Sequence, residues 1–317
     1  MFESCMGRRE FMAVTTLGAA GLAVPGMKGA FEIPARRFFP ILSLGRIGFK
    51  ATFPEAVVLA ARYGFEGLDP DATYFASLSD GDLRRLLDEL EAKNLRLGAA
   101  GLPVDFRKDE SIFSEGLAKL PSIAAVLQKA GVRRVSTYIL PFHQELTYLQ
   151  NFRQHACRLR ECAMVLKKYG QRLGLEYVGP RTSWRSQRHP FIHTLSETRE
   201  LIVAIGTGNV GVQLDTYHWF NAEETPEDLL TLRNEDIVTV DLNDAPVGLT
   251  LDQLQDLSRE LPCATGVIPI HSFLESLKKV GYDGPVQAEP FNAALRAKPI
   301  DDACALTAAS MRKALSS

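Results

Sequence analysis

From about residue 38 to the C-terminus the chain alternates between two hydrophobic patterns. Short apolar runs bounded by Gly, Pro or acidic residues recur at 39–44, 67–69, 96–100, 134–139, 172–176, 211–215, 237–242 and 285–289. Near-continuous apolar runs of that length suit strands covered on both faces, as in a parallel sheet. Between them lie longer stretches with apolar residues three and four apart, at 54–63, 80–93, 111–130, 148–169, 194–205, 225–232 and 270–280. Several are entered at Ser, Thr or Pro and left at Gly, residues that satisfy or dispense with free N–H groups at a helix start and accept a left-handed turn at its end. Eight strands alternating with helices have the rhythm of a (β/α)8 barrel, so the expected fold is α/β, a single TIM barrel over residues 36–317. An open doubly wound sheet would call for a glycine-rich phosphate loop after the first strand, and Ser43-Leu44-Gly45-Arg46-Ile47-Gly48 supplies only a fragment of one.

Composition narrows this further. The chain has 317 residues, 46% hydrophobic and 23% charged, enough to bury a full core, and its 24 Gly and 17 Pro are scattered rather than gathered into a linker. A formal charge of −2 offers no general attraction to phosphate backbones or anionic lipid, so neither a nucleic-acid partner nor stable membrane association is expected. Ahead of the barrel, Gly7-Arg8-Arg9-Glu10-Phe11-Met12 precedes a weakly apolar run at 13–24 that is too short to span a bilayer. Residues 1–30 resemble a bacterial twin-arginine export signal, which implies a periplasmic or otherwise exported protein that crosses the membrane folded; an unread basic arm would leave it cytoplasmic. Among the five cysteines there is no Cys-x-x-Cys spacing, and Cys157, Cys162, Cys263 and Cys304 are expected as small buried side chains rather than as a structural zinc site.

The chemistry gathers at strand ends. The fifth run leads into Glu176 (GLEYVGP), the sixth into Asp215 and His218 (VQLDTYHW), the seventh into Asp241 (VDLNDAP) and the eighth into Glu289 (VQAEPF). In a barrel of this kind the C-terminal strand ends carry the active site. One such acid could be a helix cap or an ion pair, but four anions converging on one mouth repel one another unless a cation sits among them. Oxygen-rich ligation points to a hard divalent ion, Mn²⁺ or Mg²⁺.

The order Glu176, then Asp215-x-x-His218, then an acid-rich strand ending in Asn243-Asp244, then GYDGPVQAEP at 281–290, resembles the xylose isomerase-like TIM-barrel superfamily of sugar and sugar-phosphate isomerases and epimerases. The likeness runs from about residue 38 to the C-terminus. It implies a metal held by Glu176, Asp215 and Glu289, with His218 touching substrate. At strand seven the family commonly has His-x-x-Asp, whereas this chain has Asp241-Leu242-Asn243-Asp244. Asp241 therefore stands where a histidine ligand is expected, and either binds the metal through oxygen or marks a subgroup with an altered site. Zn²⁺ and Co²⁺ stay open as alternatives.

The resemblance implies proton abstraction beside a carbonyl, with Glu176 and Glu289 as base and acid on an enediolate. The expected function is a metal-dependent isomerase or epimerase of a non-phosphorylated ketose, keto-sugar or cyclitol. Loss of a hydroxyl from the same intermediate would make it a dehydratase or lyase, and loss of the chemistry would leave a sugar-binding barrel. The apurinic endonucleases of the superfamily use many histidines; six in all, none at strand seven, argue against that activity. His143 and Trp184 are candidate substrate contacts, with Asp69, Arg181 and His189 also placed near the mouth, while His155, His193 and Trp219 read as structural. No cluster of Arg or Lys accompanies these loops, so phosphate recognition is not expected. A homo-oligomer is left open.

Overall fold

A computed structural model describes residues 36–316. The twin-arginine segment lies outside the described residues. The eight apolar runs become barrel strands: β1 Phe39–Pro40, β2 Gly67–Leu68, β3 in two segments, Arg96–Leu97 and Ala100–Gly101, β4 Arg134–Tyr138, β5 Arg172–Glu176, β6 Val210–Asp215, β7 Ile237–Leu242 and β8 Pro285–Ala288. From β2 to β8 each pairs in parallel with the next in sequence, and β8 pairs with β1. Between β1 and β2 the ring is carried by the Leu42 N–H to Gly67 O at 2.9 Å and by the bridge from Leu42 to Leu68. The result is an α/β TIM-barrel-like fold with a parallel, curled sheet. Outside the ring, Phe142–His143 pairs antiparallel with His189–Pro190.

Local sequence explains the helices that surround this sheet. Phe53–Tyr63 starts at a capping box, with the Thr52 N–H donating to Glu55 Oε2 at 2.7 Å, and ends where Gly64 takes φ 74°. Asp80–Ala92 is capped by Ser79 and buries Leu83, Leu86 and Leu90 along one face. Tyr148–Lys168 and Leu195–Ile205 match the expected positions within a residue. The helices Ala72–Ser77, Arg181–Trp184, Thr216–Asn221 and Ala293–Arg296 are too short to show a period; the C-terminal helix Ile300–Leu315, also not among the expected elements, buries Ala303, Cys304, Thr307, Ala308, Met311 and Ala314 at helical spacing, mostly small residues. That last helix joins the first through Asp301, which accepts from Arg62 at 2.6 Å and from the Tyr63 hydroxyl at 2.7 Å.

All six residues of β7 are buried, as a strand covered on both faces requires. At the N-terminal end of the ring, Arg134 donates to the carbonyls of Ile237 and Val238 at 3.1 and 2.9 Å and pairs with Asp283 at 2.7 Å. Polar contacts close that end and leave the other for chemistry. Among the described residues no disulfide forms; Cys162, Cys263 and Cys304 are buried as expected, whereas Cys157, expected to be buried, is only partly so. No helix among the described residues is long and apolar enough to cross a membrane.

Candidate metal and catalytic site

The ends of β5 to β8 bring Glu176, Asp215, Asp241 and Glu289 together. One carboxylate oxygen from each lies within 4.8 Å of the others, and all four residues are buried. Strand register produces this: Asp215 and Gln287 are both register partners of Asp241, so their side chains leave the sheet on one face, and Glu289 follows two residues after Gln287.

Two arginines enter the cluster. Arg46, from the turn after β1, donates through Nη1 to Asp241 Oδ2 at 2.9 Å and to Glu289 Oε1. Arg259, from the long connection after β7, donates through Nη1 to Asp215 Oδ2 at 2.9 Å and Glu289 Oε2 at 3.1 Å, and through Nη2 to Asp256 Oδ1 at 2.7 Å. Its guanidinium lies 4.9 Å from the Tyr217 ring centroid and 4.8 Å from that of Phe291, which fixes its plane. The expectation that no cluster of Arg or Lys accompanies the rim loops is corrected to this extent: two arginines meet at the carboxylates. Both were hidden by separation in sequence, since Arg46 and Asp241 are 195 residues apart.

The charge balance and the oxygens left over test whether these residues suit a metal. With every acid ionised, as metal ligands are, the four carboxylates and Asp256, which shares Arg259, outnumber the two guanidiniums and leave a net negative charge in a buried site. Glu176 Oε1 and Asp241 Oδ1 are buried without a hydrogen-bond partner among the described residues. Unpaired buried carboxylate oxygens are costly, and a divalent cation among them would satisfy both the charge and the oxygens. The set fits such an ion.

The electrostatics differ from acid to acid. Burial, then the neighbouring Glu289, Asp241 and Asp215, push Glu176 well above the usual carboxylate range. Burial also pushes Asp241 up, to about 8, against the opposing pull of Arg46. At Asp215 burial acts upward too, but Arg259, His218 and the Tyr217 N–H outweigh it and hold the group low. His218 is kept below its ordinary value by burial. Its Nε2 accepts from Arg259 Nη2 at 3.3 Å, which assigns the ring proton to Nδ1.

The stretch Asp241-Leu242-Asn243-Asp244 divides its polar groups among three tasks. Asp241 faces the cluster. Asn243 bridges two of the acids, donating from Nδ2 to Asp215 Oδ2 at 2.8 Å and accepting the Glu289 N–H on Oδ1 at 3.0 Å. Asp244 turns away and accepts the backbone N–H groups of Ala245, Thr265, Gly266 and Ile268, pinning the connection that carries Arg259.

A family model described as xylose isomerase-like TIM barrel matches residues 57–313, most of the chain. The chain belongs to that family. Among curated relatives, it is 24% identical to an inosose isomerase of Bacillus velezensis over 220 residues, 68% of this chain and 74% of the relative. A 3-dehydroshikimate dehydratase of Pseudomonas aeruginosa is 27% identical over 266 residues, which cover 81% of this chain and 39% of that longer protein. Among solved structures, a xylose isomerase domain protein from Alicyclobacillus acidocaldarius superposes with a TM-score of 0.75 at 29% identity, over 88% of this chain and 98% of the other.

Within this xylose isomerase-like barrel, His218 is the sequence-predicted substrate contact that joins the cluster: one of its ring nitrogens groups with oxygens of Glu176 and Asp215. The Asp215 carboxylate caps Thr216–Asn221, accepting the Tyr217 N–H at 2.6 Å and the His218 N–H at 3.3 Å, so one residue both starts this helix and belongs to the site. Gly179 lets the connection after β5 run against the same helix, because a Cβ there would sit 2.4 Å from the His218 carbonyl oxygen.

His143 and Trp184 are not brought into the cluster. His143 Nδ1 accepts the N–H groups of Glu145 and Leu146 at 3.0 and 2.8 Å and lines a separate cavity of about 450 Å³ with Arg107, Asn151 and His155. Trp184 stacks on His193 with centroids 4.6 Å apart, under the guanidinium of Arg185. Arg181 pairs with Glu223 and, at 3.3 Å, with Asp252. Asp69 is held by the Ser43 hydroxyl and lines a mostly apolar cavity of about 790 Å³ beside β1 and β2. Trp219 packs edge-on against Phe273, as its structural reading anticipates.

Proposed function

We propose that this protein is a divalent-metal-dependent enzyme that takes a proton from the carbon beside a carbonyl of a non-phosphorylated ketose, keto-sugar or cyclitol and returns it elsewhere, as an isomerase or epimerase. The observation that carries this reading is the group of four buried carboxylates, with Glu176 Oε1 and Asp241 Oδ1 unpartnered within it. Glu176, Asp215, Asp241 and Glu289 would hold the ion, which when bound polarises the substrate carbonyl and acidifies the neighbouring C–H.

The chain's own residues supply the proton transfers. Glu289 accepts from both arginines, which orient each of its oxygens. Glu176 accepts from neither, and burial, then the neighbouring acids, raise its proton affinity above that of an ordinary carboxyl. Two carboxyl groups in such different surroundings suit the complementary roles of base and acid. His218, neutral and held by Arg259, would present a fixed polar edge to a substrate hydroxyl. Arg46 and Arg259 are engaged with carboxylates, which favours a non-phosphorylated substrate. The likeness to an inosose isomerase supports a cyclic keto-polyol. The likeness to a 3-dehydroshikimate dehydratase over 81% of this chain favours, as a second reading, loss of a hydroxyl from the same enediolate.

Metal analysis of the purified protein, followed by turnover assays on inososes and ketoses, tests this. A stoichiometric divalent ion with activity abolished by chelation is expected. A protein that takes up no divalent ion yet still binds a sugar would be a binding barrel instead.

We propose also that residues 1–30 direct export, on the strength of the Arg8-Arg9 pair before the apolar run. Replacing both by Lys keeps the charge and removes the guanidinium geometry, so retention in the cytoplasm is expected; unchanged fractionation would end the proposal.

A further inference from the structure

Asp241 is the acid at the corner where the resemblance places a histidine, and it is fully buried. Its Oδ2 accepts from Arg46 Nη1 at 2.9 Å and from Gln213 Nε2 at 2.6 Å, while Oδ1 points to no partner among the described residues. An imidazole at this corner would bring no charge. Aspartate brings one negative charge into a buried site, and such a charge is not tolerated without compensation.

Arg46 is built to supply that compensation. It sits in the turn after β1, where the Ile47 N–H bonds to Ser43 O at 3.3 Å and the Phe49 N–H to Leu44 O at 2.9 Å. In the ring β8 lies between β1 and β7, and the guanidinium reaches across Glu289 of the middle position to Asp241 beyond it. The arginine side chain is 23% exposed, against 1% for Arg259, so it lies at the edge of the cluster rather than in its floor.

We infer that Arg46 and Asp241 act as one unit, an oxygen ligand and its own counter-charge, which together carry the net charge of a neutral histidine at this corner of the site. With the pair in place, the cluster keeps the charge deficit that a divalent ion fills; Asp241 alone would add to it, and Arg46 alone would repel the ion. The part of this inference that concerns the ion rests on the metal reading proposed above, whereas the pairing itself does not.

The test compares wild type, Arg46→Met, Asp241→His and the double variant, each stripped of metal and held near pH ~9 so that the carboxylates are ionised and an introduced histidine is neutral. Without metal, Arg46→Met should lower the thermal midpoint by about 3 °C or more, and adding Asp241→His should return most of that loss. On Mn²⁺ titration by calorimetry, Arg46→Met should bind tighter and Asp241→His weaker, each by about tenfold or more, with the double variant near wild type. Arg46→Lys keeps the charge and should stay close to wild type in both measurements. If Arg46→Met fails to fold, a folded double variant is itself the rescue expected. Additive effects on the metal-free midpoint would overturn the pairing. Failure of wild type to bind Mn²⁺ would overturn the metal reading alone, with the metal-free comparison still deciding whether the pair is a unit.

Discussion

Arg259 Nη1 lies 2.9 Å from Asp215 Oδ2, and the two side chains are 1% and 0% exposed. Removing one member of such a pair strands the other without solvent, at a typical cost of about 3–5 kcal/mol. Arg259 also orients Glu289 and His218. Arg259→Met is therefore expected to lower the thermal midpoint clearly and to abolish turnover. A variant as stable as wild type by thermal unfolding would mean that the pair contributes nothing to the fold.

Glu176 and Glu289 should separate in stability while agreeing in activity. Each amide variant removes a candidate ligand charge and a proton-transfer group, so Glu176→Gln and Glu289→Gln should both lose turnover by about a hundredfold or more. Glu289→Gln also disturbs contacts to both arginines and should be less stable. Glu176 accepts from no arginine, and burial already favours its neutral form, so Glu176→Gln should match or exceed wild-type stability without metal. Turnover and unfolding measured on both variants check this, and full activity in either would remove that glutamate from the mechanism.

Glu224 gives a pH dependence of stability away from the acids of the site. Burial raises it from 4.5 to about 7, while the Tyr177 hydroxyl and the Leu195 N–H, the latter at 2.6 Å, donate to it. The folded value lies above the unfolded one, so the fold binds the extra proton. The contribution is full below about 4.5 and disappears as pH rises through about 7, a span worth about 3 kcal/mol. Glu224→Gln cannot ionise and keeps an oxygen for the Leu195 N–H. Wild type should lose more stability than the variant between about pH 5 and 8 in urea unfolding. His155, held at about 4 by burial, titrates in both proteins and cancels from the difference. Equal slopes would contradict the assignment.

The strands and most helices were legible because burial imposes a period on them. The runs at 237–242 and 172–176 match β7 and β5 to the residue. The end of β1 was not, because after Pro40 the chain keeps only an isolated bridge at Leu42 while remaining buried and apolar. The helix Thr216–Asn221 escaped because it is six residues long, with five of them buried, and so shows no polar face. Four site acids could be named from strand ends alone, since position after a strand fixes the rim they reach. Arg46 and Arg259 could not, because loops carry no period and their partners lie far along the chain. The one available signal was their place in connections that follow barrel strands. Asp244 lies three residues after Asp241, and only the backbone geometry of residues 265–268 reveals that it holds a loop.

The most direct test of the central claim is solvent-deuterium incorporation. An inosose or ketose bound by the protein is incubated in D2O with Mn²⁺ and followed by NMR. The account predicts deuterium at the carbon beside the carbonyl, dependent on the divalent ion and lost in Glu176→Gln or Glu289→Gln. Persistent exchange in both variants, or binding of the sugar with no exchange when the ion is present, would contradict it.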